Sequence, residues 1–186
     1  MQVGKIEKAV LQMLNAVGED PTREGLRETP KRVAEMYREL LSGNKSDPNK
    51  YVKFFDAEGA RDMVLIRDIP VFSVCEHHMM PFHGLCHIAY FPKDKILGLS
   101  KFSRIVDCFS YRLQIQERLT KQICDFLMEK LDAIGVVVYI EAEHMCMVMR
   151  GARAIGSSTV TMTKRGCFEE NSVLTNEFLQ LIYKER

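Results

Sequence analysis

The spacing of apolar positions changes along the chain, and the changes mark out its parts. Val3, Ile6, Val10, Leu14 and Val17 recur every three to four residues, which predicts an amphipathic helix over 2–18, ended by Gly18-Glu19-Asp20-Pro21. A second helix is predicted from Thr29, as N-cap with Pro30 at the first helical position, to about Leu41, where Ser42-Gly43 stops it. Residues 44–62 are polar, contain Pro48 and Gly59, and read as a connection. From Met63 the period shortens to two. Residues 63–66, 71–74 and 84–91 read as strands, with Leu85, His87, Ala89 and Phe91 on one face of the third. Two helices follow, over about 100–112 and 116–133, the second with Leu119, Ile123, Phe126, Leu127 and Leu131 along one side. Gly135 ends it. Residues 136–140 are strongly β-branched, and strands are expected to about 150 and again near 157–164. A last helix is expected from Asn171, a good N-cap, to about Lys184.

This order predicts an α+β fold: an antiparallel sheet with a helix pair on one side, plus N-terminal helices. Residues 1–60 form the N-terminal helical region and connection, and 61–186 the main domain. Open sheet edges favour self-association by strand pairing. Net charge is +1 over 186 residues, so no global field draws the chain to nucleic acid or to an anionic membrane. No apolar run reaches the length of a membrane span, and no signal peptide is expected. Six cysteines without a disulfide-framework spacing point to a reducing, cytoplasmic setting.

The chemistry is concentrated in Cys75-Glu76-His77-His78 and, far along the chain, Glu143-His144-Met145-Cys146. Thiolate and imidazole are the donors a zinc ion prefers, and a catalytic zinc keeps three protein ligands and one open position. In a straight strand Cys75 and His78 would face opposite ways, so sharing an ion requires a turn at Glu76-His77. On a strand, His144 and Cys146 share a face. Cys75, His78 and Cys146 can then hold the ion, with His77 and His144 left for proton transfer. Cys86, Cys108, Cys124 and Cys167 sit in apolar patterns or alone and read as ordinary buried thiols.

Ser100, Lys101 and Arg104 stand where a helix begins, a place that attracts anions. Arg150 follows the second cluster, and Arg32 lies on the second N-terminal helix. Gln116 and Glu117 open another helix. An ionised carboxylate only accepts hydrogen bonds, which suits the paired N–H donors on the edge of guanine.

Four segments carry a resemblance: V-C-E-H-H-M-M-P-F, I-L-G-L-S-K-F-S-R-I-V, R-L-Q-I-Q-E-R-L-T-K-Q-I and E-H-M-C-M-V-M-R-G. With E-T-P-K-R-V-A-E-M-Y they closely resemble the signature segments of GTP cyclohydrolase I, in order, from about residue 20. The resemblance implies the tunnelling fold, with sheets from several subunits closing a barrel in a homodecamer. It implies conversion of GTP and water to 7,8-dihydroneopterin triphosphate and formate, leading to folate or tetrahydrobiopterin. By position, Cys75, His78 and Cys146 match the ligands of Zn2+, which activates water for attack on C8 of the guanine. His77 and His144 match the proton-transfer histidines. Lys101, Arg104 and Arg150 match triphosphate positions, joined by Arg32 of a neighbouring subunit. Ser100 matches a position near the ribose, and Gln116 with Glu117 the guanine-reading pair. His83 stands where an apolar residue is expected. No long N-terminal extension of the kind associated with feedback regulation in some animal relatives is expected, so that regulation is not inferred from the resemblance, and allostery stays an open possibility.

Two other readings compete. A relative of the same fold that reduces a nitrile uses a cysteine nucleophile and NADPH and has no need of the C-E-H-H set. A zinc-stabilised binding module would close the site with a fourth protein ligand.

Overall fold

The computed structural model describes residues 1–183. Its backbone contacts divide the chain into two compact units, Met1–Ser42 and Gly43–Arg186. In the first, helix α1 (Val3–Ala16) packs on helix α2 (Thr29–Leu40). Ala34 of α2 is fully buried, while no residue of α1 is. Thr29 is the first helical residue and not the cap. Its hydroxyl donates to the Gly25 carbonyl, at 3.4 Å, and so is not turned to accept from the helix N–H groups.

Along the chain two short 3-10 turns follow, Ser42–Lys45 and Pro48–Tyr51. The stretch expected to be a plain connection also contains strand β1 (Phe54–Asp56). Then come β2 (Val64–Cys75), β3 (Pro81–Phe91), β4 (Lys95–Leu97), α3 (Ser100–Ser110), β5 (Leu113–Gln114) and α4 (Gln116–Leu131). The chain continues through β6 (Gly135–His144), α5 (Met145–Val148), β7 (Thr159–Gly166), α6 (Cys167–Glu170) and α7 (Ser172–Tyr183). β1 pairs with β4, and the main sheet runs β5-β2-β3-β6-β7. All its pairs are antiparallel except β2 with β5, so the sheet is mixed where an antiparallel one was expected.

The predicted helix pair covers one face. Leu119, Ile123, Leu127 and Leu131 of α4, spaced by four, meet Cys86, Ile88 and Tyr90 of β3 and Val136, Val138 and Ile140 of β6. Phe102, Ile105 and Val106 of α3 complete this core. Burying a side chain of this size contributes about 1.5–3 kcal/mol. The other face is covered too, around Ala89, Val137 and Tyr139, by Phe168 of α6 and Phe178 of α7. A strand covered on both faces explains why residues 136–140 are continuously apolar and do not alternate.

Two local departures have physical causes. The two strands expected at 63–66 and 71–74 are one strand, with a bulge between Ile66 and Ile69 where Asp68 takes φ +59°. The Asp68 N–H there donates to Nδ1 of the buried His87, at 3.3 Å. β6 stops at His144, short of the expected 150. His144 pairs with Phe82, and the preceding Pro81, which opens β3, has no N–H with which to extend the ladder. The chain turns there into the helical turn α5. At the far end, Asn171 Oδ1 accepts the Val173 N–H at 2.9 Å, the expected cap of α7. The expected end of that helix at Lys184 lies outside the described residues. No described helix is long and apolar enough to cross a membrane.

Candidate metal centre and its cleft

The register of three strands assembles the site. β2 ends at Cys75, β3 starts at Pro81 opposite Val74, and β6 ends at His144 opposite Phe82. Residues 76–80 form the tight turn that the sequence requires. The Cys75 N–H donates to the Met80 carbonyl and the Met79 N–H to the Cys75 carbonyl, both at 2.8 Å, with Met79 at φ +54°. This reversal lets Cys75 and His78 face one point: Cys75 Sγ lies 3.9 Å from His78 Nδ1. Cys146, on α5 and not on the expected strand, supplies the third donor from above. One ligand atom each from Cys75, His78 and Cys146 fall within 4.8 Å of one another.

The donor set fits a small tetrahedral ion. With metal–sulfur bonds of about 2.3 Å and metal–nitrogen bonds of about 2.0–2.1 Å, neighbouring donors stand roughly 3.5–4 Å apart. Burial pushes the Cys146 thiol above its ordinary value, and the Cys75 sulfur beside it pushes further, with Arg150 acting against both. A cation held between the two sulfurs would oppose that upward push on Cys146. Among the described residues no fourth donor joins the three.

The three donors line a cleft of about 220 Å³, together with His77, His144 and Glu117. His77 is exposed at its mouth. His144 is half-buried and stacked on Phe82, with ring centroids 4.5 Å apart and planes 8° from parallel. Burial holds its imidazole below the usual value, against the pull of the Glu117 carboxylate. Glu117 sits in the first turn of α4, and Ile115, the residue before the helix, provides no side-chain cap. N–H groups in the first turn of a helix have no acceptor within the helix, and no side chain caps them here. Gln116 differs from its expected role. Its side chain is buried, donates to the Ile140 and Thr159 carbonyls, and meets His144 through Oε1.

The cationic candidates are not gathered here. Ser100, Lys101 and Arg104 stand on α3 and do not line the cleft. The start of α3 is also less open to an anion than expected, because the Lys101 and Phe102 N–H groups already donate to Gly98 and Leu99 carbonyls. Arg150 is near the ligands, with Nη1 3.5 Å from the Cys146 carbonyl. Arg32 lies on α2 of the first unit. His83 is half-exposed and stacks on Phe72. A larger, more open hollow of about 380 Å³ beside α4 contains Lys121 and Arg165. Both are already paired, with Asp125 and, for Arg165, also with Glu169, while Lys164 and Glu117 line the same hollow.

Arg118 is a site residue that the sequence gave no reason to single out. Its Nε donates to Gln114 Oε1 at 2.9 Å, and Nη2 to the Leu113 carbonyl and the Glu76 carboxylate. It ties the metal turn to β5 and holds the Glu76 carboxyl below the usual carboxylate range. Its place two residues after Gln116, in the first turn of α4, was the available signal.

The profile of the GTP cyclohydrolase I family matches residues 6–183. The chain belongs to that family. It is 52% identical over 179 residues to GTP cyclohydrolase 1 of Carboxydothermus hydrogenoformans, covering 96% of this chain and 93% of that one. It is 51% identical to the protein of the same name from Caldanaerobacter subterraneus subsp. tengcongensis, covering 98% and 97%. The Streptococcus mutans GTP cyclohydrolase 1 is 51% identical, covering 96% and 94%. The tunnelling fold of this family agrees with the curled α+β sheet described above.

Proposed function

We propose that the chain hydrolyses GTP to 7,8-dihydroneopterin triphosphate and formate, the entry reaction of pterin synthesis. The observation that carries this reading is the convergence of Cys75, His78 and Cys146 within 4.8 Å, in a chain matched to the family over residues 6–183. The three residues would hold Zn2+, which would supply Lewis-acid chemistry by lowering the pKa of water towards neutrality. With three protein donors the ion keeps a position for exchange, as a catalytic site requires and a closed structural site does not.

The chain's own groups divide the remaining work. Glu117 accepts from the N1–H and the 2-amino group of guanine, while first-turn N–H groups of α4 face the 6-oxo group. That geometry orients the purine with its imidazole edge towards the metal. His77 and His144 give and take protons as the imidazole ring opens and the ribose rearranges. Ser100 lies at the ribose. Lys101, Arg104 and Arg150 bind the triphosphate, with Arg32 of a neighbouring copy. Residues 61–186 form the catalytic domain, and 1–60 the N-terminal helical region and connection. Sheets of several copies pair at their open edges into the barrel of a cytoplasmic homodecamer. No nucleic acid or membrane takes part.

The test is incubation with GTP, following formate and, after oxidation, a fluorescent pterin. Both should appear, and a chelator should abolish both. Full turnover after exhaustive metal removal would overturn the proposal.

A further inference from the structure

The Gln116 amide is turned into the sheet, and its orientation decides the state of a second side chain. Nε2 lies 2.8 Å from the Thr159 carbonyl, 3.0 Å from the Ile140 carbonyl and 3.1 Å from the Thr161 hydroxyl. A carbonyl oxygen only accepts, so the nitrogen of the amide must face β6 and β7. The flipped amide would set its oxygen against two other oxygens. Oε1 therefore faces His144, whose Nε2 is 2.7 Å away. An amide oxygen cannot donate, so the proton in that bond belongs to His144 Nε2.

The surrounding bonds leave no slack. The Thr161 hydroxyl receives the amide N–H, and its own proton has one acceptor among these partners, Thr120 Oγ1 at 2.6 Å. Thr120 in turn donates to the Gln116 backbone carbonyl at 2.8 Å, so the run of bonds closes on the residue where it began. Gln116 is 1% exposed and Thr120 fully buried, which keeps water from offering the amide another arrangement. The Phe82 stack fixes the plane of the imidazole. Nδ1 of His144 has no hydrogen-bond partner among the described residues.

We propose that Gln116 is a positioning residue for His144: it holds the neutral ring as the Nε2–H tautomer and leaves Nδ1 bare as its one proton acceptor. What Nδ1 accepts, a proton from the purine substrate or its water, rests on the proposed function. The tautomer does not. The Gln116 side chain is buried and its N–H donors are then spent on β6 and β7, so recognition of the base falls to Glu117 and the backbone.

The chain has five histidines, few enough to resolve by solid-state NMR of zinc-loaded protein labelled with 13C and 15N at histidine. At pH 8, with His144→Asn used for assignment, His144 should show a protonated Nε2 and a bare Nδ1. In Gln116→Met that signature should split or shift, with zinc content unchanged. The kcat should fall by about tenfold or more while KM for GTP stays within about twofold. Thr161→Ser, which keeps the hydroxyl, should retain the wild-type spectrum and rate. A protonated Nδ1 in the wild type would overturn the proposal without needing any variant. So would an unchanged His144 signature in Gln116→Met, or a raised KM with kcat retained. A wild type that does not turn over GTP would overturn the proposed function alone, since the spectrum decides the tautomer by itself.

Discussion

The metal cleft and the cationic set belong to one chain but stand differently in it. Cys75, His78 and Cys146, with His77, His144 and Glu117, converge within a single second unit, because β2, β3 and β6 end side by side. Lys101 and Arg104 stay on α3, outside the cleft. Strand register closes the first group within one polypeptide. Of the second group, Arg150 alone among the described residues stands beside the metal ligands. We propose that the purine end of the site belongs to one subunit and that Lys101 and Arg104 reach the triphosphate only in the assembly.

The largest effect should come from the ligands. Cys146→Ser should lose bound zinc and reduce turnover to background, because a hydroxyl is a poor substitute for thiolate. Metal analysis checks this, and stoichiometric zinc retained in the variant would remove Cys146 from the set. His144→Ala should keep its zinc and lose about 10²–10⁴-fold in kcat. Loss of metal together with the fold would favour a structural zinc module. Lys101→Ala should weaken GTP binding by about 10–100-fold, the range for one charge-assisted hydrogen bond, and leave guanosine binding nearly unchanged. Mixing His144→Ala with Lys101→Ala subunits sharpens the comparison. If each site draws the two residues from different copies, roughly a quarter of sites become intact on random reassembly. Activity no greater than that of the separate variants would place both residues in one subunit's site.

The smallest effect lies away from both regions. Burial lowers the pKa of His87 below its ordinary value of 6.5, with Arg67 adding to this and Asp68 and Glu141 opposing it. The folded state then resists protonation more than the unfolded state does. The stability this contributes is complete above about pH 6.5 and is lost as pH falls through the depressed folded value. A modest fall in Tm below pH 6.5 should follow, and His87→Phe should flatten it.

Much of the cleft was legible because its residues come in tight clusters. C-E-H-H put its donors in consecutive positions, and one geometric condition, a turn at Glu76-His77, sufficed to make them converge. What pairs with what was not legible. Nothing local in Gln116 distinguishes a side chain that reads a base from one that holds His144. The difference lies in the carbonyls of Ile140 and Thr159, which reach it only once β6 and β7 are paired. Arg118 was missed for the same reason: its partners Glu76 and Leu113 come from the metal turn and from β5.

By itself the sequence determined the helical periods, the Asn171 cap, the buried stripe of α4, the donor chemistry and the family. Each of these depends on side-chain type and on spacing within a few residues. Only the tertiary structure decided that β6 ends at His144, that Cys146 approaches from a helical turn, that the second sheet face is covered, and which way the Gln116 amide points. These depend on contacts between residues far apart in the chain, where a hydrogen-bond acceptor or an apolar surface has no address until the sheet has formed.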